Sequence, residues 1–329
     1  MHLMTSPASS LKLDSILRIG FELTNVCELH CKICTIWQEK NKKFLLLSDI
    51  KKVMASTPSP CYVSLTGGEP LLHPDFYEIY DYFHGLYLQD KISGINISTN
   101  AYSENIILFL KKFKTKLKPL SINISLDGLS RTHNAQRGTS DAFKNTIKNI
   151  LLIKKFHTPL LIKCILTNLN CSDFFNLYLL IKKINCNLKV NLYTKNINYY
   201  NRHKTKNNNL TISSSQKNLL LKIIKKIMAR EKSTQTNSSL ILSLLHLQWL
   251  LTGVNTLKIK KIYKEKKFYN SIFITSGKKI YNNIYCPAIG FISGKKAVIN
   301  WGKIEKIKQK ALKNKNTKYL SPFSYLRQI

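Results

Sequence analysis

The chain has 329 residues, with 52 lysines and arginines against 17 acidic residues and a formal net charge of +35. No stretch reaches the roughly 20 apolar residues that a membrane-crossing helix needs. Eight cysteines in a sequence without a charged, apolar leader point to reduced thiols and metal binding in the cytoplasm, not to a disulfide framework.

The first predicted strand covers residues 16–23, and Cys27-Glu-Leu-His-Cys31-Lys-Ile-Cys34 follows it directly. A closed zinc site takes four ligands, and an iron–sulfur cube has four corners. Three thiols on one loop therefore fit a cube with one iron left open, an incomplete zinc knuckle, or three inert cysteines. A helix over 48–56 with Ser48 as its N-cap precedes a strand over 61–66. That strand runs into Gly67-Gly68-Glu69-Pro70. Two glycines there let the backbone take positive φ and approach a ligand closely. Their exposed amides and the Glu69 carboxylate suit a small zwitterion, or else form an ordinary strand-to-helix turn.

Further helices are expected over 75–88, 103–114, 141–156 and 172–184, and further strands over 92–98, 120–126, 160–167 and 188–193. Six strands alternating with helices read as a parallel sheet, whose ligands collect at the carboxyl ends of the strands. The candidate residues Thr99, Asn100, Ser125, Asp127 and Arg137 lie at such ends. Taken singly they are also ordinary caps, turn formers and a surface arginine. Cys61, Cys164, Cys171 and Cys186 read as buried hydrophobes.

With these motifs in order, the chain resembles the radical S-adenosylmethionine (SAM) enzymes from about Ile16 to Thr194. The resemblance implies a partial (β/α)6 barrel of the α/β class with a smaller C-terminal α+β appendage. It implies that Cys27, Cys31 and Cys34 hold a [4Fe–4S] cluster whose fourth iron chelates SAM. Gly67, Gly68 and Glu69 would meet the cofactor's amino group and Arg137 its carboxylate, with Thr99, Asn100, Ser125 and Asp127 nearby. Many relatives carry an aromatic residue before the third cysteine, at the adenine; this chain has Ile33, and Trp37 is the candidate substitute. The implied chemistry is one-electron reduction of the cluster by a flavodoxin- or ferredoxin-type donor, cleavage of SAM to a 5′-deoxyadenosyl radical, and hydrogen abstraction from substrate. A barrel lined by apolar side chains is expected to shield that radical.

The domains are expected at 16–195 for the core, 196–213 for an Asn/Lys-rich surface linker and 214–329 for a C-terminal region. That region reads as helices over 214–230 and 238–251 and a β-hairpin over 271–281. It resembles a degenerate SPASM module, with Asn282 and Asn283 where relatives carry a proline and a cluster cysteine. Cys286 alone cannot hold a second cube, so one cluster is expected. The substrate is read as a peptide or a small cofactor or cell-envelope precursor. The charge alone favours a tRNA- or rRNA-modifying enzyme, but only six of the 52 basic residues are arginine, the better phosphate and base reader. A non-catalytic iron–sulfur electron-transfer protein is the third reading. Nucleic acid and membrane are not expected as partners.

Overall fold

Period-two alternation gives the sheet two unlike faces. In the computed structural model, which describes residues 17–193, 209–232, 238–252, 271–281, 288–293 and 296–299, the core strands are β1 (Leu17–Glu22), β2 (Cys61–Thr66), β3 (Ile92–Thr99), β4 (Leu120–Ser125), β5 (Leu160–Leu166) and β6 (Asn187–Leu192). They run parallel, each beside its neighbour in sequence. The intervening helices are α1 (Leu47–Ala55), α2 (Phe76–Leu88), α3 (Asn105–Lys112), α4 (Ser130–Arg137), α5 (Ala142–Lys154) and α6 (Phe174–Lys183). Helical crossovers of this kind are what parallel strands require.

Ile19, Phe21, Val63, Leu65, Ile95, Ile97, Ile122, Ile124, Ile162, Cys164, Leu188 and Val190 form the outer face and are buried in one core with Ile50, Val53, Phe83 and Ile153. Each such aliphatic or aromatic side chain contributes about 1.5–3 kcal/mol on burial. Between α2 and α3 the packing is aromatic, with Tyr80 edge-on to Phe109 at 4.7 Å and its hydroxyl donating to the Lys116 carbonyl at 2.8 Å.

The inner face is polar, which overturns the expected apolar lining. Tyr62 and Ser121 share a hydrogen bond of 2.8 Å, and the Asn123 amide donates to Asn96 Oδ1 at 2.6 Å. Ser64 and Ser98 donate to the same Asn96 oxygen at 3.3 and 3.2 Å. The outward positions take most of the apolar residues of each strand, so alternation leaves mainly Ser, Asn, Lys and Tyr inside, with Ile165 at the cysteine end.

Three local differences from expectation have simple causes. Helix α1 starts at Leu47 behind an extended Leu46, so Ser48 is inside the first turn and is not the cap. Helix α4 occupies a stretch expected as loop; it lacks an apolar stripe but buries Thr132, His133, Gln136 and Arg137 toward the strand ends. The hairpin formed by β7 (Ser271–Ile274) and β8 (Lys279–Tyr281) exists, yet β7 pairs in parallel with β1. It is thus a seventh parallel strand, and β9 (Ala288–Ser293) and β10 (Lys296–Ile299) continue the sheet antiparallel beyond β8. Lys278 in the hairpin turn pairs with Asp49 of α1 at 2.8 Å. Among the described residues no bond joins β10 to β6, and the sheet is open.

On the β6 side, α7 (Ser214–Lys232) and α8 (Ser238–Thr252) extend the outer layer. Leu240, Leu244 and Leu247 join the main core, and Glu231 accepts from Tyr178 at 2.7 Å. Of the stretch expected as a linker, residues 209–213 are described, and Leu210 is buried against Leu29, Cys31 and Ile33. Asn282, Asn283 and Cys286 lie outside the described residues. Cys61, Cys164 and Cys171 are buried and Cys186 is half-buried, in line with the reading of inert hydrophobes. No helix among the described residues is long and apolar enough to cross a membrane.

Candidate active site

The cysteine loop leaves β1 and is held on three sides. Leu45 N–H donates to the Leu23 carbonyl at 2.7 Å, closing the loop on itself. Gly68 N–H and Glu69 N–H donate to the Thr24 and Val26 carbonyls at 2.7 and 2.8 Å. These two amides therefore hold the loop and are not presented to a ligand. Neither Gly67 nor Gly68 has positive φ. Their role is close approach: a Cβ on Gly67 would stand 2.5 Å from the Thr24 carbonyl oxygen, and one on Gly68 2.2 Å from that of Val26. On the third side, Lys32 N–H donates to the Gln136 carbonyl at 2.9 Å. There Gly138 ends α4 in the left-handed region at φ 76°, and a Cβ on it would meet the His30 carbonyl at 2.4 Å.

Trp37 stays with the loop. Its indole N–H donates to the Cys34 and Cys31 carbonyls at 2.8 and 3.3 Å, and its ring lies 4.6 Å from that of His30. It braces the cysteines from behind. Ile33 packs with Leu29, Cys31 and Leu210, and Tyr102, Ile165, Leu169 and Tyr193 border this small apolar cluster.

Cys31 is buried and Cys27 and Cys34 are half-buried. Burial pushes the Cys27 and Cys31 thiols up, and Arg137 opposes that shift at Cys31. Arg137 NH1 donates to Cys31 Sγ at 3.7 Å, and the Asn100 amide to Cys27 Sγ at 3.9 Å. A buried thiolate next to a fixed cation is a ready metal ligand. Among the described residues no three His, Cys, Asp or Glu side chains converge as they would on a single metal ion. A four-iron cube instead takes its thiolates at separate corners.

Glu69 is the best-held carboxylate of the site. Thr99 Oγ1 and the Asn100 N–H donate to it at 2.7 and 2.8 Å, with Leu71 N–H at 3.4 Å. Thr99 and Asn100 are therefore its supports, and they do not cap α3, whose N-cap is Glu104. Burial, then the neighbouring charge of Glu28, pushes the Glu69 carboxyl up to about 8. Glu28, between the first two cysteines, was not among the candidates. Burial raises its carboxyl too. The Asn100 amide and the Glu28 backbone N–H favour its charge, but neither makes a well-formed hydrogen bond, and both carboxylate oxygens are buried without one. Its position inside the cysteine motif was the one signal available in the sequence.

Opposite these acids, Arg137 NH2 pairs with Asp127 Oδ2 at 2.6 Å. Asp127 Oδ1 accepts from Ile165 N–H at 2.8 Å, and Asp127 N–H donates to His133 Nδ1 at 3.0 Å. Asp127 is thus an internal partner of Arg137. Arg137 Nε is buried without a hydrogen bond. Ser125 ends β4 on the inner face. Every sequence-predicted site residue lies at this end of the sheet.

Residues 21–174 match the family model of the Radical SAM superfamily. Over those residues, a little under half of its length, the chain is similar to a radical SAM domain. Among curated proteins it is similar to the sporulation killing factor maturation protein SkfB of Bacillus subtilis, at 26% identity over 171 residues, 49% of this chain and 39% of that protein. It is also similar to the antilisterial bacteriocin subtilosin biosynthesis protein AlbA of Bacillus subtilis, at 30% identity over 158 residues, 46% of this chain and 33% of that protein. The chain thus spans well under two thirds of the relatives it matches. Among solved structures, anSMEcpe with bound AdoMet superposes with a TM-score of 0.62 at 19% identity, covering 92% of this chain and 82% of that one. That likeness establishes the fold, an open parallel α/β sheet of the radical SAM partial-barrel type.

Proposed function

We infer that the protein is a radical SAM enzyme with a single [4Fe–4S] cluster and a peptide substrate. The observation that carries this reading is the buried carboxyl pair Glu69 and Glu28, held beside three thiols. Two buried carboxyl groups, of which Glu28 helps push Glu69 up, are costly to ionise together. An ammonium group between them relieves both. The residues present therefore fit the group: Cys27, Cys31 and Cys34 to hold the cluster, Glu69 and Glu28 to receive the amino group of SAM, and the orphaned Arg137 Nε to meet its carboxylate. Thr99 and Asn100 fix Glu69, and Asp127 fixes Arg137, so both recognition groups are ordered before the ligand arrives. Ser125 lies at the same rim.

When bound, the reduced cluster and SAM supply a 5′-deoxyadenosyl radical that takes a hydrogen atom from an unactivated carbon. The chain binds, orients and excludes competing partners. The apolar border of Ile33, Ile165, Leu169 and Leu210 keeps water from the cysteine end. The electron comes from a flavodoxin- or ferredoxin-class donor in the cytoplasm. The peptide reading is supported by relatives named for maturing a killing factor and for bacteriocin biosynthesis, and by the match to anSMEcpe with bound AdoMet and Cp18Cys peptide.

The test is anaerobic reconstitution with iron and sulfide, reduction with dithionite and chromatography for 5′-deoxyadenosine. Wild type forms it. Cys31→Ala loses both the brown absorbance and the product, and 5′-deoxyadenosine from that variant would sink the assignment.

A further inference from the structure

We propose that Asn123 is a specificity-determining residue on the inner face of the sheet, its side-chain oxygen held as an acceptor for an amide N–H of the substrate. The proposal rests on the peptide reading above and deepens it. A backbone carbonyl can only accept a hydrogen bond, and that of Ser121 takes one from Asn96 Nδ2 at 3.2 Å. Ser121 Oγ takes a second from the same nitrogen at 3.0 Å. This fixes which way the Asn96 amide faces, with its Oδ1 turned to the donors Ser64, Ser98 and Asn123. Asn123 has to present its nitrogen to that oxygen, and does so at 2.6 Å, with Ser98 Oγ a weaker acceptor at 3.4 Å. The polarity of one carbonyl is thus passed through two amides, and Asn123 Oδ1 is left on the far side.

Register builds this relay. Asn96 lies opposite Ser64 and Ser121, and Ser98 lies opposite Asn123. Among the described residues nothing donates to Asn123 Oδ1, since the hydrogen bonds of this side chain all run through its nitrogen. Asn123 is half-buried, and its oxygen is not sealed in as Asn149 Oδ1 and Asn191 Oδ1 are. Its place suits the reaction. Asn123 stands two positions before Ser125, the last residue of β4, or about 6.5 Å along the strand. Its partner Ser98 directly precedes Thr99, which holds Glu69. The oxygen therefore lies one layer beneath the rim assigned above to SAM.

An asparagine free to turn would offer a donor or an acceptor alike and could not tell one substrate group from another. Here the direction is set before any ligand arrives, so binding costs no further ordering of this group. The side chains around it, Ser64, Asn96, Ser98 and Ser121, are neutral, which suits an uncharged amide. A substrate with oxygen in place of the N–H leaves the acceptor unpaired, and sites built to hydrogen-bond a group discriminate most strongly against its absence.

The experiment uses the full chain, anaerobically reconstituted with cluster and SAM. Calorimetry compares three probes: N-acetyl-L-alanine N′-methylamide and the two esters that replace one or the other of its N–H groups by oxygen. One ester is expected to bind at least about tenfold more weakly than the amide, as for a hydrogen bond lost with its acceptor left facing an oxygen. Asn123→Leu weakens the amide to the level of that ester. Asn96→Ala frees the Asn123 amide to turn and narrows the gap by tightening the ester, which a general loosening of the fold does not do. Equal binding of the amide and both esters by wild type overturns the inference. So does an amide that binds too weakly to measure, a preference that survives in Asn123→Leu, or a gap unchanged in Asn96→Ala. Formation of 5′-deoxyadenosine by the same wild-type preparation separates this from the reading above. If it forms while the probes bind alike, only the role of Asn123 is wrong. If it does not form while the preference depends on Asn123, the acceptor stands and the radical chemistry fails.

Discussion

Two acidic groups face each other across the strand ends, and they are opposites in design. Asp127 has its cation inside the protein, Arg137 at 2.6 Å, and its carboxylate is complete without a ligand. Glu69 has three donors and, among the described residues, no ion pair, and the charge that acts on it is another carboxylate, Glu28. One half of the rim is settled on folding and the other half is left in electrostatic debt. The half left unsatisfied is where a cationic ligand gains the most.

Removing the settled partner should have the largest effect. Arg137→Leu leaves Asp127 buried and uncompensated, at a cost of about 3–5 kcal/mol. Urea melts of the cluster-free protein measure it. Arg137→Leu with Asp127→Asn should recover most of the loss, and a double variant no better than the single one would break the contrast.

Glu69→Gln should act on the other half with the reverse sign. Glu69 is raised from 4.5 to about 8, so the folded chain keeps a proton that the unfolded chain sheds. Its contribution is full below the unfolded value and is lost as pH rises through about 8. Melts at about pH 5 and about pH 8 should show wild type weakening relative to Glu69→Gln, by up to a few kcal/mol. The same variant should bind SAM about two orders of magnitude more weakly by equilibrium dialysis. A pH-independent stability difference would mean that Glu69 is ionised throughout.

Trp37→Phe is the smallest change. It removes the indole donor to the Cys31 and Cys34 carbonyls and should cost about 1 kcal/mol. Loss of cluster retention on gel filtration beyond that of a mild destabilisation would assign Trp37 a larger share in the loop.

Much of this was legible in the sequence because it depends on local pattern. Strand β2 begins and ends where the alternation of Cys61–Thr66 does, and the cysteine spacing marks the loop. Helix α4 was not legible: Ser130–Arg137 has no apolar period, and its burial comes from polar side chains meeting the strand ends. The Gly67–Gly68 turn was read as offering exposed amides to a ligand or as an ordinary turn, whereas the Gly68 and Glu69 amides hold the cysteine loop. The distances of the two glycines to the Thr24 and Val26 carbonyls depend on tertiary packing that no local rule supplies. The polar inner face was present in Ile-Asn-Ile-Ser and Ser-Ile-Asn-Ile-Ser, but alternation says only that two faces differ, not which one turns away from the core. Glu28 was hidden by the cysteines around it.

The parallel pairing of β1 with β7 has a consequence for biosynthesis. The contact between Glu22 and Ser276 joins residues 254 positions apart. During translation, the strand that launches the cysteine loop keeps one edge bare until nearly all of the described chain has left the ribosome. Non-local pairing of this kind is slow, and bare strand edges invite aggregation. Metal insertion is best timed after β7 docks, when the strand beneath the cysteines is flanked on both sides.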